Sequence, residues 1–291
     1  MHPAVSIILF TTLSGLGFGL LAFLGLGLPD VDGFTAAVFY ALAFTLASGG
    51  LIASTFHLGH PERALKAFSQ WRSSWLSREA WLATITLLVM TAHAFAHVIL
   101  DTRIVPLGLV GAVLSLCTIF TTSMIYTQMK TVPRWHHWST PVLFFAYAIS
   151  GGALLAGQIA LAPILILLLG AIQLWAWQSG DMRFRMSGTT LGTATGLGSR
   201  GEVRSFEPPH TGGNYLTREM VHVVARRHAF KLRFISFVLF AIIPWLILFV
   251  LPFNHFLAGI AVVSHLAGVL VSRWLFFAEA EHVVGLYYGK R

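Results

Sequence analysis

Two short blocks hold the side chains best suited to chemistry. The first is Phe56-His57-Leu58-Gly59-His60-Pro61-Glu62-Arg63-Ala64, and the second is Leu76-Ser77-Arg78-Glu79-Ala80. Each adjoins a long apolar stretch, so an imidazole and a carboxyl fall at the edge of an apolar medium, on neighbouring segments. An ionisable pair in that setting suits proton transfer. Quinone reduction consumes protons together with electrons, which makes His57 and Glu79 apt partners for a quinone oxygen. Trp71, Trp75 and Trp81 are expected to wall such a site, although interfacial aromatic belts account for them equally well. The plainer reading of Glu79 is a helix start: Ser77 is a natural N-cap and a carboxylate is favoured in a first turn.

A third block, Tyr126-Thr-Gln-Met-Lys130-Thr131-Val132-Pro133-Arg134-Trp135, closes another apolar stretch. Pro133 stops a helix and Lys130 suits its C-terminal dipole, which leaves Tyr126 and Trp135 without a local explanation. His93 and His97 are spaced i, i+4 and share a helix face. With His265 they raise the question of axial haem ligation, against the alternative that each bonds a neighbouring helix. Gly196-Leu-Gly198-Ser-Arg-Gly201 matches G-x-G-x-x-G but lies in a Gly/Thr-rich segment, outside the strand–helix context that gives the pattern meaning. Gly15 and Gly19 are expected to form a small-xxx-small helix-packing face. The single cysteine, Cys117, can build neither a disulfide nor a four-thiolate iron–sulfur cluster within the chain.

The elements that carry these residues follow from composition. Of 291 residues 56% are hydrophobic and only 10% charged, and the mean hydropathy is +0.75. That is too little charge to coat a soluble surface, so the bilayer is the solvent for most of the chain. Apolar stretches fall at roughly 4–28, 34–58, 79–100, 105–128, 141–158, 162–178, 230–252 and 255–277, each near the ~20 residues a spanning helix needs. The run from Pro141 to Trp177 is too long for one span, and Gly157, Gln158 and Pro163 break it. The expectation is an all-α polytopic protein with eight transmembrane helices, residues 1–291 forming one transmembrane domain. Eight spans place all but one of the 19 Lys and Arg on one face; the exception is Arg103. The positive-inside rule makes that face cytoplasmic, with both termini inside. The net charge of +8 is thereby explained by loop topology, and no nucleic-acid partner is expected. A loop at about 179–229 is the longest segment outside the apolar stretches, and Thr217–Phe230 reads as an extension of the seventh helix into the cytoplasm.

Three motifs occur together and in order: H-L-G-x-P-x-R-A at His57–Ala64, L-S-x-E at Leu76–Glu79 and Y-x-x-x-x-T-V-P-x-W at Tyr126–Trp135. With the opening Met1-His2-Pro3-Ala4 and the run Thr11-Thr12-Leu13-Ser14-Gly15, the chain resembles the DMSO reductase membrane anchor family, DmsC. Within it the chain is most similar to the branch that supplies the membrane component of membrane-bound sulfite dehydrogenases. The resemblance runs from Met1 through the eighth helix. It implies eight helices, no haem and no metal in this chain. It also implies an assembly of three subunits in a bacterial inner membrane, in which a molybdenum subunit does the substrate chemistry and an iron–sulfur subunit relays electrons. This chain would anchor both and react with ubiquinone or menaquinone. The family's quinol-binding histidine and glutamate match His57 and Glu79, and the candidate quinone set is His57, Glu79, Arg63, Arg78 and Tyr126. Arg226, Arg227, Arg134 and Trp135 are the candidate docking residues. Because the motif-bearing face is also the basic one, cytoplasmic sulfite oxidation is favoured over a quinol-oxidising DMSO reductase type. A membrane transporter is the alternative from another class; ionisable groups crowded at one rim, away from the midplane, argue against it.

Overall fold

The computed structural model describes residues 2–207, 209–221, 228–252 and 254–289. Its long apolar helices are α1 (Val5–Gly25), α2 (Gly33–Thr55), α3 (Trp75–Val98), α4 (Val105–Thr127), α5 (Ser139–Leu155), α6 (Ala162–Met186), α7 (Ala229–Val250) and α8 (His255–Ala278). All but α5, which has 17 residues, are long and apolar enough to cross a bilayer, which gives seven candidate spans. No strand occurs among the described residues. Helices are the expected answer to a medium that offers the backbone no hydrogen bonds. The break in the long apolar run falls where the sequence places it. Helix α5 ends at Leu155, Gly157 takes φ 63°, and Pro163 sits in the first turn of α6, where its missing N–H costs nothing.

Helix α1 is the axis of the bundle. In its most apolar stretch 78% of residues are buried, against 22–44% in the other six spans. It packs on α2, α4, α5 and α8, and its small residues set those approaches. Gly17 lies against the backbone of Ala43 and Ala47 on α2, Gly19 against Ala148 on α5, and Gly25 against Gly108 on α4. A Cβ at any of the three would collide with main chain. The pairing of Gly15 with Gly19 is therefore corrected: a Cβ on Gly15 would meet nothing within 4 Å. The close contacts come from Gly17, Gly19 and Gly25, each aimed at a different neighbour.

The seventh span is not a regular helix. A π-turn occupies Val238–Ile242, just before Pro244. Proline cannot donate to the carbonyl four residues back, which here is Phe240. That oxygen instead accepts from His265 Nδ1 of α8 at 2.8 Å. Ser264 Oγ bonds Leu239 O at 2.8 Å, and Ser236 Oγ bonds Gly268 O at 2.9 Å. His265 and Ser264 thus satisfy carbonyls of the irregular stretch before Pro244, Ser236 ties α7 back to α8, and His265 is engaged with a neighbouring helix.

The segment between α6 and α7 starts later than expected, because α6 continues through Met186. It carries one-turn elements at Leu191–Thr195, Gly198–Arg200 and Leu216–Met220. The Gly196–Gly201 motif lies in this helical-turn context and not between a strand and a helix. Asn214 Nδ2 donates to Tyr288 Oη at 3.0 Å, Tyr287 Oη donates to Ala194 O at 2.9 Å, and His2 N donates to Glu219 O at 2.7 Å. The segment is held by residues near both chain ends. The expected extension of the seventh helix over Thr217–Phe230 falls partly on residues 222–227, outside the described residues; α7 itself begins at Ala229.

Candidate functional site

At one rim of the bundle, α1 to α4 and the segment joining α2 to α3 surround a cavity of about 410 Å³. That is within the range of small-molecule sites. Ile7 and Phe10 come from α1, Leu51, Ser54 and Thr55 from the end of α2, His57, Leu58, Ala64 and Phe68 from the connecting segment, Leu76, Glu79 and Ala83 from α3, and Ile125 and Tyr126 from α4. The wall is mostly apolar. Its titratable groups are His57, Glu79 and Tyr126, and Ser54, Thr55 and Thr84 add hydroxyls.

The register of α3 decides what Glu79 does. The helix starts at Trp75, and its N-cap is Ser74, whose Oγ accepts from Ser77 N at 3.5 Å. Ser77 is not the cap. Its hydroxyl donates to Ala67 O and accepts from Gln70 N at 3.0 Å, which stitches the connecting segment to the helix. Glu79 is thus the fifth helical residue, beyond the first turn, and only 4% exposed. Thr122 Oγ1 of α4 donates to Glu79 Oε1. Two turns further in, Thr86 and Thr118 pair at 3.0 Å, which continues the polar seam between α3 and α4. The helix-start account of Glu79 does not describe this position.

Tyr126 is buried at 7% exposure. Its ring lies 5.4–5.7 Å from those of Trp135, Phe144, Phe276 and Phe277. That aromatic box fixes one wall of the cavity. His57 follows α2, its N–H bonded to Ser54 O at 3.1 Å, and its side chain is exposed. Arg63 and Arg78 do not line the cavity. Arg63 is exposed. Arg78 turns away: it donates to Trp71 O and Arg72 O at 3.0 and 2.8 Å and stacks on the Trp75 ring at 4.3 Å. The three tryptophans expected as a wall do not line it either. Trp75 packs on Phe120, and Trp81 bonds Phe68 O at 3.0 Å. Smaller apolar side chains and Phe10 and Phe68 form the wall instead.

A second polar centre joins the segment after α4 to α6, α7 and α8. Arg134 reaches Asp181 at 2.5 Å and Glu279 at 3.2 Å. Arg233 reaches the same two acids at 2.6 and 2.7 Å. Two cations and two anions close a ring. This corrects two docking expectations. Arg134 spends its charge on internal pairs, and Trp135 is 2% exposed, stacked on Phe276 with Nε1 donating to Phe276 O at 3.0 Å. Neither presents a free face to a partner. Arg226 and Arg227 lie outside the described residues. Near this ring, burial, and then the charge of Arg183, lower the pKa of His137 from its usual value.

At the other end of the bundle, His97 bridges Tyr40 Oη at 3.3 Å and Asp32 at 2.9 Å, and Arg103 pairs with Asp30 at 2.7 Å. His93 and His97 have ring centroids 6.2 Å apart. Among the described residues no group of three or more His, Cys, Asp or Glu is placed to hold a metal ion. Sequence reasoning missed Thr122, Asp181, Glu279 and Arg233. The hydroxyl run of α4, Ser115, Thr118 and Thr122 at i, i+3 and i+7, was the available signal for the first. Acids at the ends of two apolar stretches were the signal for Asp181 and Glu279.

A multi-pass helical protein with a rim cavity holding one buried carboxyl, in a chain this poor in charge, has the build of a membrane anchor subunit. Residues 1–289 match the family described as DMSO reductase anchor subunit (DmsC), and the chain belongs to that family. It is also similar to the C subunit of the sulfite dehydrogenase from Allochromatium vinosum, at 34% identity over 99% of each chain. The chain is therefore a membrane anchor subunit of an oxidoreductase.

Proposed function

We propose that this chain exchanges electrons between a docked iron–sulfur subunit and the quinone pool, with quinone binding in the rim cavity beside Glu79. The observation that carries this reading is the buried carboxyl of Glu79 set in an apolar cavity of about 410 Å³. A quinone head needs a proton donor at its oxygens and an apolar wall for its ring. His57, exposed and lining the same cavity, donates to one carbonyl, and Glu79 hands a proton to the reduced oxygen. Tyr126, fixed by its aromatic box, sets the depth to which the ring enters. Arg63 acts only from the outer approach. A site at the docked rim needs no relay, whereas one at the opposite rim lies ~30 Å of hydrocarbon away.

The favoured direction is sulfite oxidation, with electrons flowing into quinone; the name of the Allochromatium relative supports it. The partners in this reading are the iron–sulfur subunit and a molybdenum subunit that does the substrate chemistry. They dock on the basic face, which includes Arg226 and Arg227, in a bacterial inner membrane. In it α5 also crosses, giving eight spans with both termini cytoplasmic. The family's description keeps menaquinol oxidation by a DMSO reductase type as a second reading. A periplasm-active reporter joined after residue 291 separates the two: silence supports the cytoplasmic reading, activity the other. The site itself is tested by Glu79→Gln. Assembly and dye-linked substrate oxidation stay intact while quinone reduction falls. Wild-type quinone reduction in this variant removes the cavity from the mechanism.

A further inference from the structure

The rim cavity is not the same on all sides. Toward α4 lie Glu79 and Tyr126, both buried. Between α2 and α3 it is lined by Leu51 and Thr55 of one helix and Ala80 and Thr84 of the other. At 3.6 residues per turn, Ala80 and Thr84 stand roughly 100–140° around α3 from Glu79. Ala80 is half-buried and Thr84 exposed, although both line the cavity. The cavity therefore reaches the outside of the bundle along this flank. Thr84 follows Trp75, the first residue of α3, by about 14 Å along the helix axis, so the opening extends to hydrocarbon depth.

The fastenings around the cavity leave this flank as the way in. At the far end of the bundle α2 is tied to α3, through Tyr40 Oη and His97 Nδ1 at 3.3 Å and through the Tyr40 and His93 rings at 6.1 Å. At the rim the connecting segment is tied to α3, through Ser77 with Ala67 O and through Trp81 Nε1 with Phe68 O at 3.0 Å. The chemistry of the flank suits hydrocarbon. Ser54 Oγ donates to Leu51 O at 2.6 Å, Thr55 Oγ1 to Ile52 O at 2.7 Å and Thr84 Oγ1 to Ala80 O at 2.8 Å. Each hydroxyl proton is thus spent inside its own helix, the form in which Ser and Thr sit in membrane helices. A polar head finds its partners at Glu79 and His57, and an apolar chain meets no unsatisfied donor on the way out.

We propose that a quinone with an isoprenoid tail enters this cavity sideways from the bilayer, between α2 and α3, and that its tail lies across Ala80 and Thr84 while the head meets Glu79. This rests on the reading of the rim cavity as the quinone site. Entry through the aqueous rim draws the tail through water, at the full cost of exposing its apolar surface. Entry by the flank leaves the tail in lipid throughout.

Two photoreactive analogues of the host membrane's own quinone test this in the intact complex, one labelled on the ring and one on the tail close to the ring. Crosslinked residues are mapped by mass spectrometry. The ring label should fall on His57 or Tyr126, and the tail label on Leu51, Thr55 or Thr84. Thr84→Trp, which narrows the opening, should cut tail labelling about tenfold. Leu88→Trp is the control: Leu88 is exposed one turn further along α3 and does not line the cavity, and its variant should label as the wild type does. A tail label on Ala64 to Phe68, with the ring label in place, overturns the sideways route and leaves the quinone site standing. Undiminished tail labelling in Thr84→Trp overturns the route as well. A ring label outside the cavity overturns the quinone site and the route together.

Discussion

Two glutamates are buried to the same degree, Glu79 and Glu279, each 4% exposed. Glu279 is held between two guanidiniums, at 3.2 Å from Arg134 and 2.7 Å from Arg233. Glu79 has one hydroxyl, that of Thr122, and an apolar cavity alongside. Burial alone therefore does not separate a structural acid from the one proposed to meet quinone. Partner count and adjoining empty volume do. Glu279 ties the segment after α4 to α7 and α8; Glu79, in the proposed reading, keeps lone pairs for a bound quinone.

The contrast can be broken by exchanging what each acid is asked to do. Glu279→Ala should cost the most, about 2–3 kcal/mol of stability, because it takes from two partly buried cations one of the two acids each is paired with; thermal unfolding in detergent reads this, and an unchanged midpoint removes the structural role. Glu79→Gln should leave that midpoint nearly unmoved and slow quinone-linked turnover by about 100-fold, the scale of a lost general acid–base group. A large stability loss without a rate effect would place Glu79 in the same class as Glu279. His57→Ala is expected to slow quinone reduction about tenfold and weaken quinone-analogue inhibitors by a similar factor, as for a lost hydrogen bond to a polar ligand. Inhibitor titration on membranes checks it. Thr122→Val should have the smallest effect, about fivefold on rate, since it removes one hydrogen bond of about 1 kcal/mol and keeps the shape.

Much of this arrangement was legible in the sequence. The apolar stretches, the Gly157–Pro163 break and the nearness of His57, Glu79 and Tyr126 came from hydropathy and motif order, because lipid forces helices and the loops are short. What was hidden depends on rotation about helix axes and on long-range pairing. Hydropathy did not reveal that Arg78 turns onto Trp75, that Trp135 enters the core, or that Ser74 displaces Ser77 as the cap by one turn. Nor did it bring Asp181 and Glu279, far apart in sequence, to the same two arginines. The glycine face of α1 was misassigned because a helix surrounded on several sides has no single small-residue stripe.

The long segment before α7 is tied down by residues near both chain ends, through His2 with Glu219 and Tyr287 with Ala194. Ala194 and Tyr287 are 93 residues apart. At elongation rates of ~5–20 residues per second that separation is about 5–20 s of synthesis. The contact of Tyr287 with Ala194 therefore forms only after the last helix has been made, whereas that of His2 with Glu219 is open as soon as residue 219 emerges.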